Sequence, residues 1–368
     1  MTFKVISEAD KTCQVGDGLY QNPSIDISIG GEVSIPDPAN GYSVVRIGDY
    51  AFYGCEYVTT VAIPERVTTI GYASFSGSGV GFAKFTLPES LTSIDDYAFC
   101  CCRNLTRVII PDGVVRIGIN AFSSSPLSDF DIPKSVTNIA SGAFTETHWS
   151  NSRPLYELLY KDQWLLGYRD FFDFPQNGHL EIDPWTKGVT GFAYCSYIVS
   201  VTCPPTLKYI GEKAFSDTDI REINLPEGLL SIGKNAFMGC YYLRSITIPS
   251  TVTNIEGAFL GCGASSYTSM IRKPFEIGEK TFRVSDDGSI NATLYVPKGT
   301  KKRYEATPIW NKFKTIEEFD DGYDGIDDVG DSATGIEQAA YDLQGRRVSV
   351  SSVRPKGVYI QGGKKYVK

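Results

Sequence analysis

The chain has 368 residues, 42% apolar and 21% charged, enough to bury a sizeable core and too apolar for a disordered segment. Its net charge is −8 and no apolar run approaches the roughly 18–20 residues that span a bilayer, which argues against a nucleic-acid binder and a transmembrane span. Only two histidines occur, His148 and His179, which disfavours a His-based zinc centre or a Ser/His/Asp triad, while 22 Tyr, 20 Phe and 36 Gly suggest a β-rich scaffold poor in reactive chemistry.

Residues 1–43 are expected to form an N-terminal cap. FKVISEADKTCQV alternates as a strand does, and IGGEVSIP (29–36) reads as a weak first repeat. A cap is needed because the first coil of a stack otherwise exposes an open sheet edge and an apolar face. Residues 1–20 lack the basic, apolar, small-residue layout of a leader peptide. Either the protein is not exported, or the numbered chain begins after a removed leader.

From residue 44 to 262 the chain repeats with a period of 22–24 residues. The unit reads Val/Leu-x-x-Ile-Gly-x-x-Ala-Phe, a short run of small residues, then Leu-x-x-Val-x-Ile-Pro. Copies include VVRIGDYAFYGC (44–55), LTSIDDYAFCCC (91–102), VVRIGINAFSSS (114–125), LKYIGEKAFSDT (207–218) and LLSIGKNAFMGC (229–240). One column holds Ile47, Ile70, Ile94, Ile117, Ile139, Ile210, Ile232 and Ile255. A second holds Phe52, Phe75, Phe99, Phe122, Phe144, Tyr194, Phe215, Phe237 and Phe259, with one degenerate copy expected between Phe144 and Tyr194. The spacing predicts about ten coils, a rod roughly 50 Å long at ~4.8 Å per coil. No single unit can bury its apolar face, so stacked units would share one continuous core. A proline column (Pro64, Pro88, Pro111, Pro133, Pro204, Pro226, Pro249) should end each Leu-x-x-Val-x-Ile strand, since proline cannot donate to a ladder.

Residues 145–188 break the pattern. ELLYKDQWLLGY (157–168) predicts a tight hairpin, and Trp149, Tyr156, Tyr160, Trp164, Tyr168, Phe171, Phe172, Phe174 and Trp185 cluster around it.

The quoted copies resemble the BspA-like leucine-rich repeats of bacterial surface proteins, across about residues 40–262. The resemblance implies a leucine-rich repeat solenoid, a right-handed superhelix with terminal caps. It also implies export to the cell surface and binding to host or extracellular-matrix proteins. ATLYVPKGTKKRYEATPIWNKFKTIEEF (292–319) is similar to the segment that closes such repeats, so 263–319 is expected to be the C-terminal cap. Residues 320–337 read as an acidic linker, because 317–337 carries nine acids and no Lys or Arg. Residues 338–368 carry seven Lys/Arg against one Asp, and 335–368 resembles short C-terminal tails of exported Bacteroidota proteins, some of them sorting signals.

The candidate sites are weak. Nine cysteines leave at least one unpaired, and no CxxC occurs. Cys55, Cys102, Cys240 and Cys262 share a phase that other copies fill with Ser78, Ser125, Thr147 and Thr218. This interchange suits a ladder of small buried residues better than a disulfide or metal cluster. Alternation turns Thr60/Ala62, Lys84/Thr86, Arg107/Ile109, Asp129/Asp131, Ser200/Thr202, Glu222/Asn224 and Ser245/Thr247 outward. Asp129 and Asp131 could serve a glycosidase-like acid/base pair or a calcium ion, but nothing converges on them and a solvated face explains them better. Candidate contacts on this face are Arg107, Asp129, Asp131 and Glu222. Trp149, Tyr168, Phe171, Phe172 and Trp185 either plug the gap left by the degenerate repeat or stack on a glycan or protein. Asp320, Asp324, Asp328 and Asp331 match a calcium loop poorly, with Gly322 at the third position and Asp at the twelfth. No phosphate loop or nucleophile elbow occurs, so neither catalysis nor a cofactor is expected. The expected partner is a host or matrix protein, or else a surface glycan.

Overall fold

The computed structural model describes residues 1–20, 23–81, 85–169 and 177–322, and four strand segments beyond 339. Among the described residues no helix is long and apolar enough to cross a membrane. The chain divides into two units, Met1–Asp321 and Gly322–Lys368. The first is a β-solenoid of about twelve turns, rather than ten.

Two parallel ladders carry the isoleucine column. In the first, Val15, Ile47, Ile70, Ile94, Ile117 and Ile139 pair in register from coil to coil. In the second the register runs Leu165, Val189, Ile210, Ile232 and Ile255. Val189 and Leu165 thus occupy the column where the repeat degenerates. Each ladder opens on an antiparallel strand: Phe3–Ser7 lies against Thr12–Val15, and Leu158–Lys161 against Trp164–Tyr168. An antiparallel partner satisfies the edge of the first coil without presenting another repeat to bind.

The Leu-x-x-Val-x-Ile segments form shorter sheets on another side of each coil. His179–Glu181, Ser200–Thr202 and Glu222–Asn224 are parallel neighbours, followed by Ser245–Ile248, Ser266–Ser269, Ile290–Pro297 and Phe313–Phe319. The strands from Ser245 form a separate sheet, which runs on past residue 262 to Phe319. The column prolines work as turn formers: Val67, Leu91, Val114, Val136, Leu207, Leu229 and Val252 each donate a backbone N–H to the proline carbonyl three residues earlier, at 3.0–3.3 Å. Each turn delivers the next buried Val or Leu into the core.

The phenylalanine column is two stacks. Rings of Phe52, Phe75, Phe99, Phe122 and Phe144 follow one another at 5.0–5.3 Å, nearly parallel. Phe192, Phe215, Phe237, Phe259 and Phe282 repeat this at 5.7–5.8 Å. Phe192, not Tyr194, is therefore the column residue. Tyr194 instead takes the left-handed conformation, φ 64, two residues after the column ring, as do Gly54, Gly239 and Asp217 in their coils. The turn points its ring outward, where it is 71% exposed.

The shared core predicted from the repeat is accordingly two clusters, one spanning residues 13–166 and the other 165–316. The hairpin between them belongs to both. Leu159, Trp164 and Leu166 enter the first cluster, whereas Leu165 and Tyr168 enter the second, with Leu158 and Tyr160 packed against it. Strand alternation sends successive side chains to opposite sides, and from Leu158 to Leu166 each side is a different core; Tyr168, after Gly167 at φ 140, joins Leu165 in the second.

The second unit contains an antiparallel sheet in the order 347–348, 340–341, 358–361, 364–367. The acidic stretch at 323–337, with Asp324, Asp328 and Asp331, lies outside the described residues.

Candidate functional site

The corner after each column ring holds a small hydrogen-bond donor. Ser125 Oγ donates to the carbonyl of Phe99 at 2.7 Å, Thr147 Oγ1 to Phe144 at 2.9 Å and Thr218 Oγ1 to Phe215 at 2.9 Å. Cys102 Sγ reaches the carbonyl of Phe75 and Cys240 Sγ that of Phe215, both at 3.1 Å. With Phe192 in the column, Cys195 falls into the same phase and is likewise buried. These thiols sit where a hydroxyl also fits, which accounts for the Cys/Ser/Thr interchange. Burial pushes Cys102 and Cys240 up to about 12 and Cys55 and Cys195 up to about 11. They are neutral donors, far from the thiolate that metal binding or nucleophilic attack requires.

The outward strand face is exposed and internally paired. Arg107 Nε meets Asp129 Oδ2 at 2.9 Å, and Lys161 Nζ meets Asp131 Oδ1 at 3.1 Å. Asp129 and Asp131 thus each hold a different cation and do not face a common centre. Glu222 is exposed on the strand Glu222–Asn224. Two strands away, across Ser200–Thr202, the His179 ring lies between Ser200 Oγ at 2.8 Å and Thr202 Oγ1 at 3.2 Å. Among the described residues, no three His, Cys, Asp or Glu side chains come together as a metal would need.

Among the described residues of the aromatic cluster at 149–185, Trp149, Trp164 and Tyr168 are buried, Tyr160 is half-buried, and Tyr156 and Trp185 are exposed. Trp149, 5% exposed, packs edge-on against Phe130 at 5.3 Å, and Tyr168 is 7% exposed. Trp149 belongs to the first core and Tyr168 to the second, with little surface of either exposed. Trp185 differs: it is 45% exposed and rests on Tyr160 at 4.8 Å. Phe171 and Phe172 lie outside the described residues.

A more extensive aromatic surface lies on the first stack. Tyr20, Tyr50 and Tyr53 form a triad with centroids 5.0–5.9 Å apart, continued by Tyr72 at 5.3 Å from Tyr50 and Tyr97 at 5.6 Å from Tyr72. Tyr50 and Tyr97 are left-handed, at φ 57 and 58, two residues before their column phenylalanines. DYAF recurs at 49–52 and 96–99, which was the available signal; that the rings of successive coils would touch was not predicted.

Beside this ladder runs an ionic network that sequence reading also missed. Arg46 bonds Asp49 at 2.7 Å and Asp95 at 3.2 Å. Arg116 bonds Asp96 at 2.7 Å, Glu212 at 3.0 Å and Asp95 at 3.5 Å. Burial works against the charge on Arg116, but Glu212 and Asp96 outweigh it and the guanidinium pKa is raised. Glu212 stands 96 positions along the chain from Arg116, beyond the reach of any local pattern. Tyr72, Asp49, Asp95, Asp96 and both arginines line one shallow depression.

Among known families, the BspA type leucine rich repeat region matches this chain in 6 copies, over residues 32–150 and 188–288. The gap between the two matched stretches falls on the hairpin and its flanks. The pneumococcal vaccine antigen PcpA is 20% identical over 86% of this chain and 96% of its own, with a TM-score of 0.36. A leucine-rich repeat protein from Bacteroides ovatus is 22% identical over 86% and 98%, with a TM-score of 0.34. A leucine rich cell surface protein from Faecalibacterium prausnitzii is 20% identical over 86% and 93%, with a TM-score of 0.33. No curated protein matches the chain.

Proposed function

The chain belongs to the BspA-type leucine-rich repeat family, and from that premise we propose that it is an exported, non-enzymatic surface protein whose solenoid binds host or matrix proteins. The observation that carries this reading is the tyrosine ladder beside the Arg46–Arg116 network. Tyr and Arg are the residues enriched where protein interfaces concentrate their binding energy. Here the rings brace one another edge to face, so little side-chain freedom remains to be lost on docking. The solenoid spaces them regularly along its axis, presenting a broad contact rather than a pocket.

The test is binding of the purified full chain to a panel of extracellular-matrix proteins by surface plasmon resonance. The Tyr50→Ala/Tyr72→Ala double variant is expected to weaken the strongest interaction by more than tenfold. Reversal of the outward strand face, Arg107→Glu with Asp129→Lys and Glu222→Lys, is expected to change it by less than threefold. The opposite ranking would move the interface to the strand face. Export is tested by protease shaving of intact cells, with the solenoid expected among the released peptides.

A further inference from the structure

At the C-terminal end of the solenoid, a cleft of ≈ 450 Å³ opens between the coil of Cys262 and the segment 283–292. This is within the range of small-molecule sites, about 300–1,000 Å³. Tyr267, buried in the second core, is among the residues that line the cleft. Its rim carries Ser265, Arg283, Asp286 and Asn291. Among the described residues neither Arg283 nor Asp286 forms an ion pair or hydrogen bond, although they stand three positions apart. Asn291 Nδ2 donates to Ser285 Oγ at 2.8 Å, leaving its carbonyl oxygen free to accept.

One coil below the cleft stands an exposed aromatic, Tyr241. Gly263 lines the cleft, and a Cβ on Gly263 would fall 2.0 Å from the carbonyl oxygen of Tyr241 in the preceding coil. The chain passes so close that only glycine fits, which sets Tyr241 one coil below the mouth. That ring is 68% exposed.

We propose that this cleft, with Tyr241 one coil below its mouth, is a binding site for a neutral oligosaccharide. An anion would pair with Arg283 but press on Asp286, and a cation the reverse. An apolar ligand would gain nothing from either of these exposed charges. A neutral polyol satisfies both, because each hydroxyl donates to a carboxylate and accepts from a guanidinium. A pyranose also has an apolar face, which suits the Tyr241 ring. The site lies in the second stack, apart from the tyrosine ladder, and does not depend on protein binding there.

The probe is an array of neutral and acidic oligosaccharides of two to six units, followed by calorimetric titration of the best neutral ligand with the full chain. Binding is expected to neutral glycans, weakened about tenfold or more by Tyr241→Ala and by Arg283→Ala, the range of a lost hydrogen bond to a charged group. Arg283→Lys should recover part of the loss, which distinguishes a contact from a folding defect, and melting curves should match the parent. Tyr72→Ala and Trp185→Ala should leave the affinity within twofold. The proposal is overturned by no glycan binding, by binding to acidic glycans alone, or by binding that survives both Tyr241→Ala and Arg283→Ala. It is equally overturned if a peptide array, and not the glycans, yields ligands sensitive to these two substitutions.

Discussion

At the scale of single residues, the corner ladder explains why five of the nine cysteines, Cys55, Cys102, Cys195, Cys240 and Cys262, sit where other coils carry Ser or Thr. Cys102 and Cys240 occupy the space of a hydroxyl and donate to phenylalanine carbonyls, and Cys55 and Cys195 are buried in the same phase. Cys102→Ser should therefore change stability by less than about 1 kcal/mol, since Ser125 fills the same corner one coil on. Cys102→Leu should cost about 1–3 kcal/mol, because a fully packed corner has no room for a branched side chain. Chemical denaturation of both variants checks the ranking. The same burial dictates a pH dependence. Thiol pKa values of about 11–12 in the folded chain exceed the ordinary value of 9.0, so the unfolded chain releases these protons first. The stabilisation is whole below pH 9 and is lost as pH rises through about 12. Urea midpoints should accordingly fall between pH 8 and pH 10.5, and substitution of Cys55, Cys102 and Cys240 by serine should flatten that slope. The interchange with Ser and Thr was legible in the sequence. Cys195 was not, because the aromatic column was placed on Tyr194 when two rings, Phe192 and Tyr194, competed for it. Only the left-handed turn decides between them, and its residue types at this position range from Gly to Glu146 and Asp217.

At the scale of elements, the hairpin Leu158–Tyr168 is a joint rather than an insertion. Its alternation was visible in sequence, as was the degenerate repeat beside it. That its two faces serve different cores was not, since alternation usually means one wet face and one dry one. The wet face is missing because a second stack of coils covers it. This makes the hairpin the place where cooperativity is decided. In a linear stack, stability is close to a sum of unit and interface terms, so weakening one interface splits the transition. Trp164→Ala should cost about 3–5 kcal/mol and turn a single unfolding transition into two, the second cluster being relieved of its neighbour. Phe99→Ala should cost a similar amount, but it lies mid-stack between Phe75 and Phe122. Its loss should lower one transition without separating another. Scanning calorimetry of the two variants tells these outcomes apart.

At the scale of the whole solenoid, a second link ties the two stacks, and it is polar. Glu212, from the second stack, is 93% buried and accepts from Arg116 of the first; its backbone N–H donates to Asn138 Oδ1 and its carbonyl accepts from the Ser141 N–H. Arg116 in turn shares Asp95 with Arg46, so the network runs along the first stack to the tyrosine ladder. Desolvating a carboxylate is expensive, and this one is balanced only while the guanidinium faces it. Arg116→Met should therefore destabilise by about 3–5 kcal/mol, because it strands Glu212 as a buried unpaired charge. Removing both charges, Arg116→Met with Glu212→Leu, should recover much of that loss, since a buried ion pair adds little over a well-packed apolar pair. If the double variant is as unstable as the single one, the network is needed for the geometry of the junction and not only for its charge balance. The tyrosine ladder provides the discriminating readout. In the double variant Asp95 keeps Arg46, and Tyr50 and Tyr72 keep each other, so binding through that face should stay within about threefold of the parent. A larger loss, at equal stability, would mean that the bridge between the stacks also sets the shape of the binding face.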